Sequence, residues 1–169
     1  RVIPKEYSVK RSRKYSMAKK AVLLANLGSP DSTEVKDVRS YLSEFLMDER
    51  VIDIPYLARL LLVRGIIVPF RAPKSAAKYK TIWTENGSPL IHISKLVQQK
   101  LATVMDMPVA LCMRYANPTP KYAMDKLMQE NPDLKEVVLV PLYPHYAMSS
   151  YETAVEHVKK TYQVGNYPF

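Results

Sequence analysis

Glycine is scarce in this chain: Gly28, Gly65, Gly87 and Gly165 are the only four in 169 residues. Phosphate-cradling loops need several glycines close together. Neither a G-x-G-x-x-G fingerprint nor a Walker A loop can be written, and nucleotide binding by those routes is excluded. Cysteine is scarcer still. Cys112 stands alone, so no disulfide framework forms within the chain, and no zinc or iron–sulfur site can rest on cysteines alone. A reducing, cytoplasmic setting is the natural expectation. Long apolar runs are missing too. YLARLLLVRGIIVPF, residues 56–70, is too short to span a bilayer and carries Arg59 and Arg64 in its interior.

Positive charge is what the chain has in excess, a net of +9, but it is not spread evenly. Residues 1–20 hold eight Lys or Arg against one Glu, whereas the remaining 149 hold 17 basic and 15 acidic groups. The body is therefore nearly neutral, which argues against a nucleic-acid partner. Residues 1–16 have no apolar stretch of the kind a secretory signal needs. They are expected to be a basic, disordered extension, followed by a single α/β domain over residues 17–169. A hydrophobic content of 47% supports a packed core at this length.

Apolar periodicity places the elements. AVLLANL (21–27), PVALCMR (108–114) and EVVLVPLYP (136–144) are continuous apolar runs, as strands buried on both faces would be. Between them lie helical patterns. Asp31 and Glu34 form a capping-box-like pair before Val35, Val38, Leu42, Phe45 and Leu46. Ser88 and Pro89 open a helix that is expected to bury Leu90, Ile93, Val97, Leu101 and Val104. RAPKSAAKYKTIW reads as a loop into a short helix. Ala123, Met124, Leu127 and Met128 share one face of the next helix. Tyr151, Ala154, Val155, Val158 and Tyr162 share one face of the last.

Strands alternating with helices imply βαβ units and a parallel sheet, with ligands beyond the carboxyl ends of its strands. NLGSP, MRYANP and PLYPHYAMSS follow the three strands and should converge at that edge. A second Gly-Ser-Pro turn, at 87–89, is expected to close the same cleft. Candidate chemistry at the edge falls to Arg114, Tyr115, Tyr143, His145, Tyr146, Ser149 and Ser150. A guanidinium suits a carboxylate. Tyrosine rings offer flat amphipathic walls. An imidazole binds ferrous iron. Each has a plain structural alternative: an ion pair for Arg114, core packing for the tyrosines and helix capping for the serines. His92 and His157 sit within helices and read as ordinary.

Four blocks carry a more specific message: LLANLGSPDSTEVKDVRSYLSEFLMDERVIDIP, RGIIVPFRAPKSAAKYKTIWTENGSPL, MRYANPTPKYAMDKL and VVLVPLYPHYAMSS. In order and spacing they resemble the ferrochelatase family from about Lys20 to the end. The resemblance implies a chelatase fold, the first of two similar flavodoxin-like halves, acting on a porphyrin and ferrous iron with no organic cofactor. It implies substrate-binding roles for Leu27, Arg114, Tyr115, Tyr143, Ser149 and Ser150. His145 falls near the metal's path, at a position where many relatives carry Gln. The family's metal-inserting histidine and its acidic partner belong to the second half, so no catalytic residue is expected within this chain, which reads as stopping short of them. Cys112 lies within a strand, so the iron–sulfur cluster of some relatives is not expected. Residues 56–70 resemble the family's apolar lip, a place for peripheral membrane contact. The remaining alternatives are another tetrapyrrole chelatase and a non-catalytic porphyrin- or haem-binding module.

Overall fold

The structure, a computed structural model, describes residues 19–169. The basic extension expected at 1–16 lies outside the described residues. Three parallel strands form one sheet: β1 (Lys20–Gly28), β2 (Val109–Tyr115) and β3 (Glu136–Pro141), in the order β2-β1-β3. Helix α1 (Val35–Leu46) follows β1. A continuous helical stretch comes next: α2 (Tyr56–Leu60), a π-helical segment (Leu61–Ile67) and α3 (Val68–Ile82). Helix α4 (Pro89–Val104) then leads into β2. Helix α5 (Pro120–Glu130) joins β2 to β3. A short π-helical turn (Met148–Glu152) and α6 (Thr153–Gly165) complete the described fold. The result is an α/β unit with the strand order that opens flavodoxin-type sheets.

Central β1 explains its own sequence. Val22 and Leu24 point to one face, where with Leu111 and Met113 they meet Leu90, Ile91, Val97 and Leu101 of α4. Leu23 and Ala25 point to the other, where with Cys112 they meet Ala123 and Met124 of α5 and Val158 of α6. Both faces are covered, so the strand reads as an unbroken apolar run. Each fully buried Leu or Val contributes about 1.5–3 kcal/mol.

A third cluster sits at the carboxyl end of the sheet. Val38, Tyr41, Leu42 and Leu46 of α1 pack with Val63, Val68, Ala72 and Ala76 around Tyr115, the last residue of β2. A helical cap therefore stands over the edge to which ligands are expected to come.

Several expectations are corrected. β3 is an edge strand and is not buried on both faces. Val138 and Val140 are exposed, because α4 lies over β1 and β2 and leaves this part of its face open. Helix α4 turns inward on Leu90, Ile91, Ser94, Val97 and Leu101, and Ile93 and Val104 are exposed. The amide of Asn26 donates to Ser94 Oγ at 3.1 Å, which draws that polar position inward and rotates the apolar face. The stretch at 71–83, read as a loop into a short helix, has no loop before Ile82: it is helical through that residue, with Pro73 in its interior on the exposed side. Asp31 and Glu34 form no capping box. Ser32 Oγ accepts from the Glu34 N–H at 3.0 Å, while Asp31 accepts from the Asn117 amide at 2.9 Å. On α6, Tyr162 is exposed, and the inward residues are Thr153, Ala154 and Val158.

Candidate functional site

Arg114 is the only charged residue of β2, in an otherwise apolar strand. A guanidinium so placed needs partners, and the helical cap and α6 supply them. Its Nη2 donates to Asp48 Oδ2 at 2.5 Å and its Nε donates to Thr153 Oγ at 2.6 Å. The Thr153 hydroxyl in turn donates to Asp48 Oδ2, and so does the Tyr115 hydroxyl, at 3.1 Å. Asp48 Oδ1 accepts the Arg50 N–H at 2.9 Å. The Asp48 side chain is only 4% exposed and that of Arg114 13%.

Burial alone would raise the Asp48 carboxyl. The hydrogen bonds from Thr153 and Arg50, and the charge of Arg114, outweigh it and hold the group below the usual carboxylate range. One turn earlier, Glu44 accepts the Ala116 N–H at 3.0 Å and lies 3.8 Å from Arg114 Nη1. Two acids at the end of α1 thus grip the end of β2.

The edge of the guanidinium bearing Nε and Nη2 is committed inside the protein. The edge bearing Nη1 carries only the looser ion pair to Glu44. Arg114 lines a cleft of about 750 Å³ with Glu44, Asp48, Met47, Arg39 and Arg64. Its carbon Cζ stands 4.2 Å above the Tyr115 ring. That ring has no exposed surface and packs edge-on against Phe45, with centroids 5.2 Å apart, and Tyr41. It offers no open wall, and its part here is to carry Arg114 and bond Asp48.

Tyr143 lies just beyond β3, half-buried. Its hydroxyl is buried without a partner among the described residues. Burial pushes the phenol well up, with Tyr115 adding to the rise and Arg114 opposing it. Leu27 is half-buried against the cap cluster. His145 and Ser149 are exposed and Ser150 is half-buried. Neither serine caps a helix: the N-cap residues of the π-helical turn and of α6 are Ala147 and Glu152, and neither end has a side-chain cap. Tyr146 is exposed and donates to Glu152, which also accepts from Arg50 Nε at 3.3 Å. This surface triad ties the loop carrying His145 to the segment after α1.

Arg114, Tyr115 and Tyr143 come together, then, while His145 and Ser149 stand on the outer loop. The two Gly-Ser-Pro turns do line one groove of about 1530 Å³, through Ser29 and Pro30 on one side and Gly87 and Ser88 on the other. Ser29 Oγ is buried there without a partner among the described residues. Most of this groove follows the open edge of β2 and includes neither Arg114 nor Tyr143. The smaller cleft is the better candidate because it alone contains the buried charge network. Sequence reasoning missed Asp48 and Thr153. The one usable signal was Arg114 itself, whose position in a buried strand demands an acid partner. His157, read as ordinary, feels the same network: burial, with Arg114 nearby and Asp48 opposing, lowers it to about 4.

Three parallel strands in one sheet flanked by helices place the chain in the α/β class. The comparisons go further. The profile of the ferrochelatase family matches residues 19–168. The chain is 53% identical over 145 residues to the ferrochelatase of Porphyromonas gingivalis, covering 84% of this chain and 40% of that relative. It is 54% identical over 145 residues to that of Opitutus terrae, covering 84% and 41%. It is 45% identical over 133 residues to that of Pectobacterium atrosepticum, covering 78% and 41%. The chain belongs to the ferrochelatase family. It spans about 40% of the length of these relatives.

Proposed function

We propose that this chain is the porphyrin-handling part of an enzyme that inserts ferrous iron into a porphyrin. The observation that carries the reading is the family match over residues 19–168, which runs through the whole network at the strand ends. In this reading the macrocycle lies at the carboxyl edge of the sheet. The Nη1 edge of Arg114, which carries only the looser ion pair to Glu44, takes a carboxylate side chain of the porphyrin, a charge-assisted contact worth about 1.5–3 kcal/mol. Leu27, Tyr143, Ser149 and Ser150 complete the surround, and Tyr115 acts through Arg114. In this reading His145, exposed on its loop, meets iron on its way in.

Binding that bends the ring turns pyrrole lone pairs toward the metal. Two pyrrole protons leave as Fe(II) enters and pass to a base outside the described residues. No organic cofactor is required. Among the described residues no helix is long and apolar enough to cross a membrane. The exposed side chains of Leu57, Leu61, Ile66 and Phe70, beside Arg64, Arg71 and Lys74, suit peripheral contact with a lipid surface where porphyrins partition. A cytoplasmic protein touching the membrane fits this arrangement.

A chimera tests the function. Residues 19–168 replace the matching segment of the Porphyromonas gingivalis relative, and metal insertion is assayed with Fe(II) and Co(II) on protoporphyrin IX and coproporphyrin III. Iron insertion near the parent's rate supports the reading. Insertion of cobalt alone would point to another tetrapyrrole chelatase. A folded chimera that binds porphyrin but inserts nothing would favour a non-catalytic binding module.

A further inference from the structure

Asp48 receives four hydrogen bonds from three parts of the fold: β2 through Arg114 and Tyr115, α6 through Thr153, and its own loop through Arg50. Its side chain is almost wholly buried, yet it borders the cleft that Arg114 lines. Free arginine side chains have several rotatable bonds and sample many orientations. Here Asp48 and Thr153 hold the Nε/Nη2 edge, the Tyr115 ring lies under the guanidinium plane, and Glu44 stands 3.8 Å from Nη1. One orientation is left, with Nη1 beside Glu44, which lines the cleft together with Arg114.

We propose that Asp48, assisted by Thr153, is a positioning residue: it fixes the Arg114 guanidinium so that Nη1, held only by the 3.8 Å ion pair to the partly exposed Glu44, is presented to a substrate carboxylate. This deepens the porphyrin reading and rests on it. A carboxylate that arrives at a pre-oriented donor need not order a flexible side chain, which is how preorganisation raises affinity. The same arrangement keeps Arg114 compensated when the cleft is empty, through Asp48 inside the fold and Glu44 at the cleft.

The test separates positioning from mere support. Protoporphyrin IX is compared with its dimethyl ester, which keeps the ring and lacks the carboxylates. Both are titrated against the chain in one detergent, and binding is followed by porphyrin fluorescence anisotropy. Asp48→Asn should weaken binding of the free acid roughly tenfold or more and leave the ester within about twofold. Arg114→Ala should do the same, and the double variant should be no weaker than Arg114→Ala alone, since both changes remove one contact. Should Asp48→Asn fail to fold, Thr153→Val carries the test. It keeps the side-chain shape and removes one clamp, and it should lower the acid-to-ester preference with the ester unchanged. Equal losses for acid and ester, or single effects that multiply in the double variant, would overturn the proposal while leaving porphyrin binding intact. Wild-type chain that binds neither form would overturn the porphyrin reading and this proposal with it.

Discussion

Gly28 stands against the carbonyl oxygen of Tyr115, so close that a Cβ built on the glycine would lie 2.0 Å from it. The contact joins the ends of two parallel strands at the edge where the site forms. Gly28 also has a φ of +105°, a conformation that L side chains rarely adopt. Gly28→Ala should therefore destabilise the chain by about 3 kcal/mol or more, since it adds backbone strain to a clash with main-chain atoms that cannot step aside. Urea unfolding of wild type and variant checks this. A change below about 1 kcal/mol would mean that the strand ends separate easily.

Acid should weaken the fold in two stages. His157 is lowered to about 4, chiefly by burial, so between its ordinary value near 6.5 and 4 the unfolded chain takes up a proton that the folded chain refuses. Stability should fall across that window, by less than the full shift would imply, because His157 is only partly buried and solvent screens its charge. Asp48 is held below the usual carboxylate range, so its contribution is present above about pH 4 and is lost only as pH drops further. Melting temperatures from pH 7.5 to 4.5 should decline for wild type and flatten for His157→Gln. Parallel curves for the two proteins would show that another group causes the acid loss.

Cys112 should be chemically silent while the chain is folded. It has no exposed surface, and burial pushes its thiol up to about 12. The thiolate is the reactive species. Labelling by a thiol-specific reagent at pH 8 should follow the unfolded fraction through a urea titration. Rapid stoichiometric labelling without urea would contradict the placement of Cys112 between β1 and the helices α5 and α6.

Much of this architecture was legible because the responsible signals are local. The apolar run at 21–27 belongs to a strand covered on both faces, and the strand-end rule then gathers Arg114, Tyr115 and Tyr143 without further information. What escaped depends on distance or on what lies overhead. EVVLVP reads the same whether one or two layers cover it, so periodicity could not show that Val138 and Val140 are exposed. RAPKSAAKYKTIW reads as a loop into a short helix, but packing of Val68, Ala72 and Ala76 in the cap cluster keeps the helix continuous through Pro73. Asp48 and Thr153 are 105 residues apart and meet only in the folded chain. Arg114 announced that it needed an acid, but sixteen acidic residues were available, and spacing along the chain does not say which one folds beside it.

His145 gives the sharpest separation of support from function. It is exposed, and none of its atoms takes part in a hydrogen bond or ion pair with the described residues. Its neighbour Tyr146 is what fastens the loop, through Glu152 to Arg50. His145→Ala should therefore leave stability within about 0.5 kcal/mol of wild type, as expected for a surface side chain without partners. Tyr146→Phe, which removes the fastening hydroxyl, serves as a control that loosens the loop and leaves the imidazole in place. If His145 receives iron, the alanine variant of the chimera should show a raised KM for Fe(II) and an unchanged KM for porphyrin, because Arg114 and its clamp are untouched. His145→Gln then distinguishes a ligand from a polar contact: full activity at low iron would mean that an amide suffices. Normal iron kinetics in the alanine variant, with a defect in Tyr146→Phe, would assign the role to loop placement and remove the imidazole from the path of the metal.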